Sequence, residues 1–372
     1  MNNKIFICSL KFAPGLFKEF TLLGNKFKEN NIDVNYLVSD GYQDFFIDDD
    51  SIKYLTNSRN TKEMIFDFFL FPLYFFKIFK IIRLNKKYKM QFLFYNPHPL
   101  NPLFQYFIKF ISKSIVITVL HEPYKTKKER LEYGFSGYVF FSIVNIFQVM
   151  SIRRSDKIIT MSPYGKSLFL KYFKKYSDKL ITANLLLPNI NYEKKERIYF
   201  SFIGRVNKGK GIQDFIDTVN YCIQNNINIY PFLIITATNI DEYIKSLADG
   251  WENILTIINH QNITDDEINS VISQSKAVLI LHQTASQSGV LPLSYQLKTP
   301  VIARNLPAFR QYIDQSGILL DNNFLPEHLI FACSNLNLNF NEYSLSAYNL
   351  YNKNFSENNF NTFYREILDN DN

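Results

Sequence analysis

A chain of 372 residues, 47% of them apolar, is long enough for two domains of ordinary size and too apolar to be disordered. Its formal net charge of +7 favours anionic partners, but the 41 basic residues are interspersed with 34 acidic ones and form no basic tail or stripe, which argues against nucleic acid. Cys8, Cys222 and Cys333 lie far apart, so neither a disulfide framework nor a cysteine metal site is expected.

The opening stretch MNNKIFICSLKFAPG reads as a strand over Lys4–Ser9 and a turn, with too short an apolar run for a secretion signal. A helix follows over Leu16–Asn30, with Leu16, Phe20, Leu23 and Phe27 on one face, and then a second strand over Ile32–Val38. This βαβ opening implies a parallel sheet whose ligand-facing loops lie at the strand C-termini. Gly15 stands in the first such loop, where a ligand could approach the backbone closely; a plain turn glycine is the competing reading. Met64–Ile82, MIFDFFLFPLYFFKIFKII, approaches membrane-spanning length, but Asp67, Lys77 and Lys80 interrupt it and Pro72 sits in its middle. It reads as a core helix or a membrane-surface helix rather than a span. The following Arg83, Lys86, Lys87 and Lys89 suit an anionic leaflet.

Phe92–Tyr95 is a short strand ending in NPHPLNPL, whose three prolines predict an extended, rigid loop. Asn96 and His98 are the polar groups it offers to a site mouth, with a structural cap as the alternative for His98. Ser114–Leu120 is a β-branched strand that delivers His121, Glu122 and Pro123 at its end, where an open α/β sheet places its chemistry. Glu122 is a candidate base or hydroxyl acceptor and His121 a polar ligand contact; a histidine satisfied by backbone is the competing reading. An apolar helix over Gly137–Ile152, a strand over Lys157–Met161 and a helix opened by Ser162 and Pro163 follow. Leu185–Glu196 reads as the interdomain linker.

Tyr199–Val219, YFSFIGRVNKGKGIQDFIDTV, joins a strand (Tyr199–Ile203) to a helix beginning near Gly211 through a glycine-rich turn carrying Arg205, Lys208 and Lys210. Unpaired backbone N–H groups at a helix start, with cations beside them, suit phosphate. An ordinary connection with solvated lysines competes, since neither GxGxxG nor the P-loop pattern is present. Strands are predicted over Pro231–Ala237, Ile254–Ile258, Ala277–Leu281, Pro300–Ala303 and Gly317–Leu320, with helices over Asp241–Asp249 and Asp265–Ser275 between them. Ser286, Gln287, Ser288 and Gly289 form a small polar turn opening a helix that runs through Leu297. Further helices begin at Pro326 and continue in the aromatic tail from Ser344 to Leu368. No Asp-x-Asp pair lies at a strand end, so no divalent metal is expected.

Two α/β halves, a mid-chain linker and a GR…KG turn opening the second half together resemble a GT-B glycosyltransferase, and more narrowly the retaining, nucleotide-sugar-dependent enzymes of family 4. FIGRVNKGKGIQDFI is similar to that family's phosphate motif, and SQSGVLPLSYQLKTPVIARNLPAFRQYI resembles its donor-binding loop, helix and strand. NPHPLNPL and the His121–Pro123 triplet look like N-terminal-domain motifs of one branch. The resemblance implies an α/β fold of two Rossmann-like domains facing across a cleft: an acceptor-binding domain over 1–188, a nucleotide-sugar domain over 189–343, and a C-terminal helix over 344–372 packing back on the first. It implies a nucleoside-diphosphate sugar donor held by Gly15, Gly204, Arg205, Lys210, Ser286, Gln287, Ser288 and Gly289, with no cofactor and no metal. His121, Glu122, Arg205 and Lys210 would be catalytic, with Asn96 and His98 toward a glycan or lipid-linked acceptor. Transfer with retention, in surface polysaccharide biosynthesis, is the implied activity. The implied location is cytoplasmic, with a peripheral place on the inner face of the plasma membrane if the aromatic segment is a surface helix. The sequence departs from the family where two glutamates usually flank the donor helix start, since those positions hold Ala285 and Leu293. A weakly active or inactive nucleotide-sugar-binding relative is therefore the alternative, and a 2-epimerase on the same fold ranks behind it.

Overall fold

The computed structural model describes residues 3–46, 49–95, 98–121, 124–131, 134–190, 195–227, 231–285 and 287–368. The chain divides into two compact units, one of residues 1–186 with 360–372 and the other of residues 187–359.

The first unit runs β1 (Asn3–Ser9), α1 (Pro14–Glu29), β2 (Asp33–Ser39), β3 (Ile52–Thr56), α2 (Thr61–Phe69), α3 (Phe71–Leu84), β4 (Lys89–Tyr95), α4 (Asn101–Ile111), β5 (Ile115–Leu120), α5 (Lys127–Leu131), α6 (Gly134–Arg154), β6 (Lys157–Thr160), α7 (Pro163–Phe173) and β7 (Leu180–Thr182). The strands make a parallel sheet in the order β3-β2-β1-β4-β5-β6-β7. Both faces are covered, so the strands are nearly continuous apolar runs. Alternate residues such as Ile5, Ile7, Val34, Leu93, Ile117 and Ile159 pack beneath α1, while Phe6, Cys8, Phe92, Phe94 and Val116 pack beneath α3 and α4. On that second face Leu120 and Ile158 meet Ile152 of α6 and Phe169 of α7. Ser162 caps α7, its hydroxyl accepting from Gly165 N–H at 2.9 Å, with Pro163 at the first helical position.

The second unit runs β8 (Tyr199–Ile203), α8 (Ile212–Gln224), β9 (Phe232–Thr236), α9 (Asp241–Ile244), β10 (Leu255–Asn259), α10 (Asp265–Ser273), β11 (Ser275–Ile280), α11 (Val290–Gln296), β12 (Val301–Arg304), α12 (Pro307–Arg310), β13 (Gly317–Leu320), α13 (Pro326–Leu338) and α14 (Phe340–Asn354). Its parallel sheet has the order β10-β9-β8-β11-β12-β13. In both sheets the order reverses beside the unit's first strand, β1 against β4 and β8 against β11, which is the doubly wound arrangement that opens a ligand crevice at the strand C-termini. The last helix, α15 (Phe360–Leu368), belongs to the first unit, where Phe360, Tyr364 and Ile367 are buried in the core beside Phe27.

Several sequence expectations are revised. Met64–Ile82 is not one helix: α2 ends at Phe69 and α3 begins at Phe71, with Pro72 at its start, where its missing N–H costs nothing. The proline-rich stretch after β4 is not extended to its end, because α4 begins at Asn101 with Pro102 likewise in its first turn. The helix expected over Asp241–Asp249 ends at Ile244. The tail from Ser344 is split between the units. α14 stays in the second, where Ser344 Oγ donates to Lys298 C=O at 2.7 Å and the Gln296 amide donates to Tyr351 OH at 2.9 Å, and only residues 360–372 join the first.

Candidate functional site

In the second unit, β8 ends at Ile203 and the chain turns through Gly204, whose φ of +106° is left-handed. Gly204 N–H donates to Ile235 C=O at 3.1 Å and Val206 N–H to Thr238 Oγ1 at 3.4 Å, which fixes the loop against the end of β9. Lys210 N–H is held by the carbonyl and side-chain oxygen of Asn207, at 3.0 and 3.1 Å. Gly211, with φ +76°, then starts α8; a Cβ there would lie 2.1 Å from Leu281 C=O, at the end of β11. The loop after β11 is fastened to the loop after β8 by Gln283 N–H donating to Gly209 C=O at 2.9 Å. The two loops flanking the switch point therefore form one framework.

Arg205 is exposed and makes no hydrogen bond or ion pair among the described residues, so it is available to a ligand. Lys210 is half-buried, with His282 near enough to feel its charge. His282 directly follows β11, is 8% exposed, lies 5.6 Å from the Phe309 ring and has no hydrogen-bond partner at Nδ1 among the described residues. Burial, with Lys210 second, pushes its pKa down to about 3, so the ring is neutral at physiological pH. Arg304, at the end of β12, is a brace. It donates to Asp214 of α8 at 2.5 Å, to Leu281 C=O at 3.3 Å and to Asn322 C=O, tying three neighbouring segments together. Gln287 and Ser288 are half-buried and Gly289 is exposed where the chain enters α11, whose first turn has no side-chain cap. Ser286 lies outside the described residues.

In the first unit the strand C-termini gather a second polar group. His121 follows β5, and its Nε2 lies 3.5 Å from Glu19 Oε1, a carboxylate on α1 that is only 5% exposed. Burial pushes the Glu19 pKa up, while the neighbouring His121 charge and the Tyr95 hydroxyl pull it back. Neither Glu19 Oε1 nor His121 Nε2 has a hydrogen-bond partner among the described residues, so the two stand as a close polar pair rather than a bonded one. Beside His121 is a cavity of about 220 Å³, lined by Leu16, Asn101, Leu120, Lys125, Phe141, Asn145 and Gln148 among others. Asn145 fixes its rim, donating to Lys125 C=O at 2.9 Å. Gly15 lies in the first turn of α1 rather than in a loop, exposed, with nothing within 4 Å of where a Cβ would stand. His98 is 1% exposed, with Nε2 3.0 Å from Ser58 Oγ and Nδ1 accepting from Leu100 N–H at 3.1 Å, so in this conformation it caps the entry to α4. Asn96, Glu122 and Pro123 lie outside the described residues.

Glu19, His282 and Arg304 were missed in the sequence. Glu19 lay in plain view as a carboxylate next to Phe20 within the apolar stripe of α1, and His282 as a histidine directly after a buried strand, the position that singled out His121. Arg304 had no comparable signal, because its partners come from three separate segments.

No protein-family model and no curated protein sequence matches the chain. Solved structures do. A glycosyltransferase from Rickettsia africae aligns with a TM-score of 0.72 at 14% identity, covering 99% of each chain. Anabaena HepE in complex with UDP-glucose aligns at 0.70 and 13%, covering 98% of this chain and 99% of its own. The pneumococcal O-GlcNAc transferase GtfA, in complex with UDP and GlcNAc, aligns at 0.70 and 10%, covering 99% of each. Against a mutant of S. aureus TarM bound to fondaparinux, α-GlcNAc-glycerol and UDP, this chain spans 55% of that chain. At these identities the likeness is one of fold, and the fold is GT-B.

Proposed function

We propose that this GT-B chain is a glycosyltransferase that takes a sugar from a UDP-sugar and places it on a hydroxyl of a glycan or lipid-linked acceptor, in the building of a surface polysaccharide. The observation that carries the reading is the framework at the β8/β11 switch point, where the Gln283–Gly209 hydrogen bond and the two left-handed glycines set Arg205, Lys210 and His282 on adjoining loops. The structural neighbours that hold UDP or UDP-glucose support uridine as the base.

Transfer breaks the bond between the anomeric carbon and the β-phosphate and forms one to the acceptor oxygen; the acceptor's proton leaves with the diphosphate. Negative charge grows on the leaving group, and the cations of Arg205 and Lys210 neutralise it without a metal. His282, neutral and incompletely bonded, orients the donor. In the first unit, His121, 3.5 Å from the buried Glu19, takes the transferred sugar or the acceptor hydroxyl. Glu122, next in the sequence, keeps the role of base or hydroxyl acceptor in this reading, and Gln287, Ser288 and Gly289 that of donor contacts. Family 4 membership and retention of anomeric configuration belong to the same reading.

The test is a thermal-shift series with UDP, GDP, ADP and CMP, followed by turnover of the matching sugar nucleotides with and without EDTA. A ligand that binds only the folded state raises the melting temperature. A UDP shift and EDTA-resistant transfer support the reading; no shift with any nucleotide in folded protein overturns it. Ala285 and Leu293, standing where the related enzymes carry carboxylates, favour one second reading, a nucleotide-sugar binder without turnover. A UDP shift with no transfer to any acceptor or to water would establish that instead.

A further inference from the structure

α6 is apolar along most of its length, yet most of the side chains it buries are polar. Its inward face carries Asn145, Gln148 and Ser151, all buried, whereas Phe135, Val139, Ile143, Ile146 and Met150 form an outward stripe at helical spacing, with Phe135 83% exposed. A surface helix of a globular protein does the reverse. The polar interior is structurally used: Gln105 of α4 donates to Thr118 of β5 at 3.0 Å, and Thr118 meets Ser155, which donates to Ser151 C=O. α4 packs against α6 and presents Tyr106 and Phe110 outward, the latter 78% exposed. α3 packs against α4 and presents Leu73, Phe76 and Phe79. All three helices cover the same face of the first unit's sheet, so these side chains belong to one surface, well beyond scattered single exposures.

The charge carried by these three helices has one sign, although Lys109 is paired with Asp156 just beyond α6. α3, α4 and α6 contain Lys77, Lys80, Arg83, Lys109, Arg153 and Arg154, and not one Asp or Glu. Residues 68–121 contain no acidic residue at all, in a chain whose 34 acids nearly balance its 41 bases. Between α4 and α6 a groove of about 500 Å³ is lined by Tyr106, Met150, Arg153 and Arg154, with the Arg154 guanidinium 4.8 Å from the centre of the Tyr106 ring. That groove offers a lipid phosphate two cations beside an apolar wall.

We infer that the outer face of α3, α4 and α6 docks flat on an anionic lipid bilayer, its aromatic and aliphatic side chains entering the interface and its lysines and arginines meeting headgroup phosphates. A second copy of the chain is a poor occupant, because it would set cations against cations. α6 is long and apolar enough to cross a membrane. It follows β5 by way of α5, however, and leads directly into β6, β5 and β6 being neighbours in one parallel sheet, and its amide face is buried against the protein, so it lies along the bilayer. The inference stands independently of the sugar-transfer reading, since it uses none of the residues placed in that site.

The experiment is co-sedimentation of the full chain with vesicles of phosphatidylcholine alone and of phosphatidylcholine mixed with phosphatidylglycerol, at low and high salt. Two variants accompany it: Phe76→Ser/Phe110→Ser/Phe135→Ser, and Lys77→Gln/Lys80→Gln/Arg83→Gln. All the altered side chains are exposed, and circular dichroism with the UDP thermal shift verifies folding separately from binding. The expected result is at least about tenfold tighter binding to the anionic vesicles, weakened by salt and by the cation variant, and lost in the aromatic variant. Equal binding to both vesicle types, no binding to either, or unchanged binding by a folded aromatic variant overturns the inference. A dimer in solution that the aromatic variant dissociates also overturns it, by showing that the face is occupied by a second copy.

Discussion

Arg205 and Lys210 stand on the same loop in different states. Arg205 projects into solvent with nothing to lose, while Lys210 is half-buried and its backbone is bonded to Asn207. Arg205→Ala should therefore lower transfer by about two orders of magnitude or more while leaving the melting temperature unchanged. Lys210→Ala should lower transfer similarly with a small shift in melting. Steady-state kinetics beside a melting curve checks both, and wild-type turnover in either variant removes that cation from the site. Two histidines carry a different prediction. His98 and His282 both have pKa values pushed down to about 3, by burial first and by Lys11 and Lys210 second. Below the ordinary value near 6.5 the unfolded chain takes up protons that the folded chain refuses, so the stability is fully present above pH 6.5 and lost as pH falls toward 3. Each histidine should cost about 2 kcal/mol of stability between pH 6.5 and 5. Glu19 works the opposite way: its raised pKa favours the fold at low pH and loses that contribution as pH rises through it. Urea unfolding at pH 6.5 and 5 should show the loss, and His282→Gln should remove its share. Much at this scale could be read in advance, because Arg205, Lys210 and His121 sit where a strand ends. Glu19 and His282 obey that rule or a simple burial rule and were still passed over, since each sits beside a stronger hydrophobic signal.

At the scale of elements, the clearest case is the turn between β8 and α8. Gly211 has both reasons for being glycine, a left-handed φ of +76° and the Leu281 carbonyl 2.1 Å from where a Cβ would go. Gly211→Ala should destabilise the second unit by about 2 kcal/mol or more, because the carbonyl cannot move without disturbing the end of β11. The same change should weaken the UDP thermal shift, and a stable Gly211→Ala protein with normal UDP response would count against the close approach. The strands of both sheets were legible because each is a buried β-branched or aromatic run ending in a turn. β3 was missed, since IKYLT is short and lies at the sheet edge, and β7 is only three residues long. α4 was hidden by its own prolines: Pro102 reads as a helix breaker until it is placed in the first turn, where no hydrogen bond is lost.

At the scale of the molecule, the second unit is one continuous segment and the first is not. α15 supplies Phe360, Tyr364 and Ile367 to the first unit's core, with Phe360 meeting Phe27 edge-on at 5.1 Å and Ile367 C=O accepting from Gln91 at 3.3 Å. Phe360→Ala should cost about 3–5 kcal/mol in the first unit alone. In a chain ending at residue 359, the first unit should melt early or fail to fold while the second keeps its own transition, which differential scanning calorimetry would resolve. The aromatic periodicity of the tail was legible, but the place where it changes allegiance was not. That is decided by partners such as Gln296, which holds Tyr351 in the second unit, rather than by any break in the helical pattern.

The return of α15 also sets an order of events at the ribosome. Residues 1–186 emerge first but wait for their last helix, which follows the whole of the second unit. The second unit can close as soon as residue 359 is free, so the part of the protein made later is the first able to finish folding. Until then a seven-stranded sheet stands with Phe27 and its neighbours bare of their α15 cover, on the same unit that exposes the aromatic side chains of α3, α4 and α6. Nascent chains stalled shortly after residue 359 should therefore be the ones most dependent on chaperones.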